Sequence, residues 1–168
     1  MTTQPSPSSA IAPAAASDPF DPEHYEMGRS IGYVLARAKS RLAYSVEQQV
    51  SGLDVTHPQA SCLMMLAKGA ARNVTDLARE LGTDIGSVTR LLSRLERRGL
   101  IARNRRDDDR RVVDLSLTPA GEAIVGKLPA IYCDVLRRHF EGFTAAEIET
   151  LRGLLQRVID NHQDLCKS

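Results

Sequence analysis

The chain has 168 residues, 42% of them hydrophobic and 26% charged, with a formal net charge of +1. That size and apolar content predict one domain with its own core, and no stretch approaches the roughly 20 apolar residues of a membrane span. Cys62, Cys133 and Cys166 are odd in number, widely spaced and without a C-x-x-C pair, which argues against a disulfide framework or a zinc site and for a reducing, cytoplasmic setting.

The first eighteen residues, "MTTQPSPSSAIAPAAASD", are rich in Pro, Ser and Ala. They lack the positive start and apolar run of a signal peptide, so residues 1–20 read as a disordered tail. Asp21-Pro22 offers an N-cap with proline at the first helical position. Met27, Ile31, Val34, Leu35, Ala38 and Leu42 then recur at helical spacing, predicting one long helix to about residue 50. "THPQ" (56–59) has the form of a capping box and opens a second helix that Gly69 is placed to end. Thr75 is expected to cap a short third helix, "DLAREL", stopped by Gly82. Thr83 or Asp84 starts a fourth, with Val88, Leu91, Leu92 and Leu95 on one face, running to Gly99.

At Gly99 the period changes. Val113, Leu115 and Leu117 alternate with Val112, Asp114 and Ser116, which is strand patterning, and "LIAR" (100–103) is a plausible partner strand. Thr118-Pro119 repeats the cap-and-proline device and predicts a fifth helix to about Phe140. "TAAE" (144–147) is a second capping box, opening a last helix with Ile148, Leu151, Leu155, Val158 and Ile159 on one face. The expected order is four helices, a hairpin and two helices: mainly α with a small β wing.

Charge is concentrated where the period changes. Between Gly86 and Arg106 seven arginines face one acid, Glu96, an asymmetry that points to a polyanionic partner. Two short helices joined at Gly82 and followed by a basic hairpin describe a winged helix-turn-helix. Its second helix enters the major groove of double-stranded DNA and its wing reaches the minor groove. Burial of the leucine face leaves Ser87, Thr89, Arg90, Ser93, Arg94 and Arg97 for bases and phosphates, since arginine pairs bidentately with guanine and serine reaches either. On the wing, Arg105, Arg106 and Arg110 are expected to meet phosphates. In "RNRRDDDRR" (103–111) the three aspartates suit a tight turn, and alternation sets Asp109 beside Arg111 to brace it for the groove. The alternative for this cluster is a merely solvated face.

No Gly-rich phosphate loop, His-x-x-x-His spacing or Gly-x-Ser-x-Gly elbow occurs, so neither an enzyme nor a cofactor is expected. The string "SVTRLLSRLERRGLIARNRRDDDRRVVDLSLTPAG" resembles the MarR family of bacterial transcription regulators. It carries a recognition helix, a glycine stop, a wing with Asp-x-Arg (Asp109, Arg111) and a Leu-Thr-x-x-Gly helix entry (Leu117, Thr118, Gly121). The resemblance covers about residues 25 to 163. It implies a homodimer built from helices in 21–50 and 120–168, around a DNA-binding lobe at 51–119, on a near-palindromic operator. It also implies a repressor released by a small aromatic acid, of hydroxybenzoate, salicylate or hydroxynicotinate type, bound between those helices and the lobe.

For such an effector Arg37 offers a cation, His57 a proton-sensitive donor and Tyr132 a phenol, with Tyr33 and Arg29 as further candidates. In salicylate-binding relatives the position of His57 carries a polar aromatic side chain. The plainer readings are a helix-start His57, an intersubunit ion pair for Arg37 and a core Tyr132. Some members of the family sense peroxide through a thiol near the start of the first helix, where this chain has Met27. A redox-sensing repressor on Cys62 or Cys133 is the alternative, weakened by the apolar setting of Cys62.

Overall fold

The computed structural model describes residue 18, residues 20–105 and residues 113–165. The expectations for Arg106, Asp109, Arg110 and Arg111, for Cys166 and for most of the N-terminal tail lie outside the described residues. The chain divides into two compact units, residues 1–39 and 40–168.

The first unit corrects the long first helix. The Asp21 carboxylate accepts from the Glu23 N–H at 2.9 Å and meets His24 Nδ1 at 2.7 Å, closing a local turn that competes with helix propagation. Two short 3-10 turns result, Pro22–His24 and Met27–Arg29. The helix α1 begins only at Ile31 and runs to Val50. Gly28 adds to the delay, because glycine disfavours a helix interior.

In the second unit α1 ends with Val46 and Val50 buried, and a 3-10 turn, Ser51–Leu53, follows. Helix α2, His57–Ala67, opens on the expected capping box between Thr56 and Gln59. Helix α3 spans Val74–Leu81 and is capped by Asn73, whose side chain accepts from the Asp76 N–H at 2.9 Å, and not by Thr75. Asparagine is the stronger cap, and the earlier start gives α3 the length to bury Leu77 and Ala78. Gly82 ends α3 in the left-handed conformation, φ 61°, and Asp84 caps α4, Ile85–Arg97.

Strands β1, Ile101–Arg105, and β2, Val113–Leu117, pair antiparallel with Ile101 opposite Leu117 and Arg103 opposite Leu115. The Leu115 N–H donates to the Arg72 carbonyl at 3.1 Å, tying the hairpin to the segment before α3. Thr118 caps α5, Pro119–Val125. The single fifth helix of the sequence reading is in fact two, with α6 spanning Leu128–His139. Pro129 explains the break: its ring clashes with the carbonyl four residues back, and that residue is Val125, the last of α5. The TAAE box forms as expected, with the Thr144 N–H on Glu147 and the Glu147 N–H on Thr144. It opens α7, Ala145–Leu165.

The core gathers one face from each lobe element: Val55, Leu63, Leu77, Val88, Leu92, Leu95, Ile101 and Leu115 are all buried together with Leu128 and Val135. Helix α2 is central, touching α3, α4, α5 and β2. No described helix is long and apolar enough to cross a membrane.

Candidate nucleic-acid interface

Helix α4 presents two unlike faces. Val88, Leu92 and Leu95 are fully buried and Leu91 is half-buried. On the other side Thr89, Arg90, Ser93, Arg94 and Arg97 are exposed, the separation that the leucine spacing predicts. The turn at Gly82 sets α4 after α3, and the packing of α2 and β1 beneath it leaves the polar face outward.

The start of α4 is organised by one carboxylate. Asp84 accepts from the Ser87 N–H at 2.8 Å and from the Ser87 hydroxyl at 2.6 Å. That hydroxyl oxygen in turn accepts from the Arg90 guanidinium at 2.9 Å. The Ser87 hydroxyl, then its backbone N–H, hold the Asp84 carboxyl below its ordinary value, and Arg90 adds a smaller pull in the same direction. Ser87 is therefore a link between an acid and an arginine as well as a surface group. The sequence carries the signal for this chain of bonds in Asp84, Ser87 and Arg90, spaced three apart along a helix.

The other hydroxyls on the face bond backward along the helix, Thr89 to the Ile85 carbonyl at 2.8 Å and Ser93 to the Thr89 carbonyl at 2.9 Å. Each keeps acceptor capacity towards solvent. The seven arginines separate by partner. Arg103 on β1 pairs with Glu96 at 3.0 Å, and Arg98 bonds Asp54. Arg94 and Arg97 have no ion pair among the described residues. Arg105 is the last residue of β1. Sequence reasoning did not single out Ile85, the first residue of α4, which is 56% exposed. Beside this face lies a cleft of about 270 Å³, lined by Thr56, Pro58 and Gln59 of the α2 start and by Ser87, Arg90, Leu91 and Arg94.

The five effector candidates fall into the two units. In the first, Arg29 ends a 3-10 turn and lies 3.9 Å from Glu26. Arg37 stands 6.0 Å from the centre of the Tyr33 ring, one helical turn away. In the second, the His57 N–H donates to the Glu47 carboxylate. Tyr132 on α6 has a buried hydroxyl without a well-formed hydrogen bond among the described residues. Burial pushes its pKa up, against a smaller downward pull from Ser61. Cys62 is buried and its thiol is pushed up to about 12, whereas Cys133 is exposed.

Residues 55–113, from the α2 entry through the hairpin, match the model of the MarR family. The multiple antibiotic resistance protein MarR of Escherichia coli is 31% identical over 146 residues, 86% of this chain and 98% of that protein. The transcriptional repressor IacR of Pseudomonas putida is 23% identical over 150 residues, 89% of this chain and 87% of IacR. Among solved structures, BpsR of Bordetella bronchiseptica superposes with a TM-score of 0.72 at 27% identity, over 81% of this chain and 97% of that one. That structure concerns regulation of BpsR DNA binding by 6-hydroxynicotinic acid. A mutant MarR of E. coli complexed with operator DNA gives a TM-score of 0.69 at 28% identity, over 76% and 92% of the two chains.

Proposed function

Since this chain belongs to the MarR family of transcription regulators, we propose that it is a homodimeric repressor that reads a near-palindromic operator with α4 and is released by a small aromatic acid. The observation that carries the reading is the outer face of α4, where Arg94 and Arg97 stand exposed beside an Arg90 already oriented by Ser87 and Asp84. An arginine held in place loses less rotamer freedom on meeting a base edge or phosphate than a free one. Thr89 and Ser93 supply acceptors on the same face.

For the effector, Tyr132 supports the reading best: a neutral phenol buried without a full partner is a donor waiting for an acceptor, and a carboxylate or ring hydroxyl would satisfy it. His57, of the same unit, would supply a second donor. Release follows if the acid binds the DNA-free arrangement of the dimer more tightly than the bound one. The relative regulated by 6-hydroxynicotinic acid points to the same chemical class.

A thiol-sensing repressor of the same fold is the second reading. Burial, which pushes the Cys62 thiol up to about 12, disfavours the reactive thiolate there, so this reading would rest on exposed Cys133. Fluorescence anisotropy on DNA from the region upstream of the chain's own gene, at two salt concentrations, tests both. Steep salt dependence and release by a hydroxybenzoate, salicylate or hydroxynicotinate support the acid-responsive repressor. Release by peroxide alone moves the reading to Cys133, and binding that ignores sequence removes both.

A further inference from the structure

We infer that Arg98, although it belongs to the arginine-rich segment, positions the recognition helix by clamping it to the α1–α2 link and does not contact DNA. The inference rests on α4 being the helix that reads the groove.

Arg98 is the C-cap residue of α4. Its guanidinium donates one N–H to the backbone carbonyl of Asp54 and another to the Asp54 carboxylate at 2.8 Å. Both acceptors belong to one residue 44 positions earlier in the chain, so a planar fork fixes direction as well as distance. Asp54 lies between α1 and α2, following the turn Ser51–Leu53 and preceding the Thr56 cap. Its backbone is left-handed, φ 56° and ψ 34°, and it is the one non-glycine residue with positive φ among the described residues. Glycine would adopt that conformation without strain, and what aspartate adds is the carboxylate that Arg98 grips.

Two of the five guanidinium N–H groups are engaged with Asp54, and the Arg98 side chain is only 32% exposed. The Asp54 side chain is 95% exposed, so the pair adds little to stability. Its effect is on orientation. The end of α4 is held to the link that leaves α1.

The test uses the full chain and a duplex selected by it from a random library, with affinity followed across salt concentrations. Arg98→Met and Asp54→Gly are each expected to weaken binding about three- to tenfold. The double variant should be no weaker than the poorer single, and the salt slope should stay that of the parent. Arg94→Ala, the control, should instead lower the slope by about one. A slope reduced by about one in Arg98→Met, with Asp54→Gly binding like the parent, makes Arg98 a phosphate contact and overturns the clamp. Additive losses, or two silent singles, overturn it as well. If Arg94→Ala is also silent, the reading of α4 itself fails, which the Arg98 and Asp54 variants alone would not reveal. Thermal melts keep folding separate from binding, and because Gly tolerates φ 56°, Asp54→Gly should melt close to the parent.

Discussion

The arginines around α4 differ by what already holds them, and that difference predicts their effects. Arg94 and Arg97 have no ion pair among the described residues, so a DNA contact costs neither an existing partner. Arg103 would have to leave Glu96, 3.0 Å away. Arg94→Ala is therefore expected to lower operator affinity by roughly 1–3 kcal/mol, and Arg103→Ala by clearly less; equal losses in an anisotropy titration would show that the Glu96 pair does not matter. Asp84 gives a prediction in pH. Its carboxyl is held below the ordinary 3.8 by Ser87. A depressed folded-state pKa contributes stability above the unfolded value and loses it as pH falls through the folded one. Comparison with Asp84→Asn isolates the charge, because asparagine caps a helix almost as well. The difference in melting temperature should stay constant from pH 7 to about 4 and shrink only below that. A difference that vanishes already at pH 5 would mean the carboxylate is not held as described.

At the level of elements, Gly121 shows why a sequence motif can be legible while its reason is not. The Leu117-Thr118-x-x-Gly121 string is readable in the chain, and Thr118 caps α5 as its spacing suggests. Only the fold shows that the Thr118 N–H and hydroxyl also bond the carbonyls of Leu100 and Gly99. A Cβ on Gly121 would then lie 2.1 Å from the Leu100 carbonyl oxygen. Gly121→Ala must push α5 off the hairpin, which should cost about 1–3 kcal/mol in a denaturant titration; a neutral effect would mean that α5 moves freely. The Thr56, Thr118 and Thr144 caps, the periodicities and the strand alternation are readable because each is set by residues within one turn, whereas the cap of α3 falls on Asn73 and not on Thr75. Asp21-Pro22 misled because its bonds close on Glu23 and His24 and never reach a helix. The split between α5 and α6 was present in the chain as Pro129, but the expected helix ran through it. The clamp of Arg98 on Asp54 had no local signal, since its partners are 44 residues apart. The α4 face was legible for the opposite reason: a buried stripe of Val88, Leu92 and Leu95 fixes where every other side chain of that helix must point.

For the whole molecule the question is what covers α7. Leu154 is 51% exposed and Val158 57%, and Ile148, Leu155 and Ile159 are exposed with them. An apolar set of that size on one helix marks an interaction surface. A second copy of the chain is the partner the proposed function requires, because reading two half-sites needs two recognition helices at a fixed separation. Burial of a large aliphatic side chain contributes roughly 1.5–3 kcal/mol, and a two-fold interface uses each such residue twice. Val158→Glu replaces that gain with two buried carboxylates facing the same apolar surface, so dimer dissociation should become at least about 100-fold more favourable, close to 2.7 kcal/mol. Sedimentation of the parent should then give a dimer at micromolar concentration and the variant a monomer. The monomer should retain weak, salt-sensitive DNA binding, since its α4 arginines are untouched, and should lose discrimination between the palindrome and a single half-site. A variant that stays dimeric would place the subunit contact elsewhere than α7. A monomeric variant that still prefers the full palindrome would separate operator reading from dimerisation altogether.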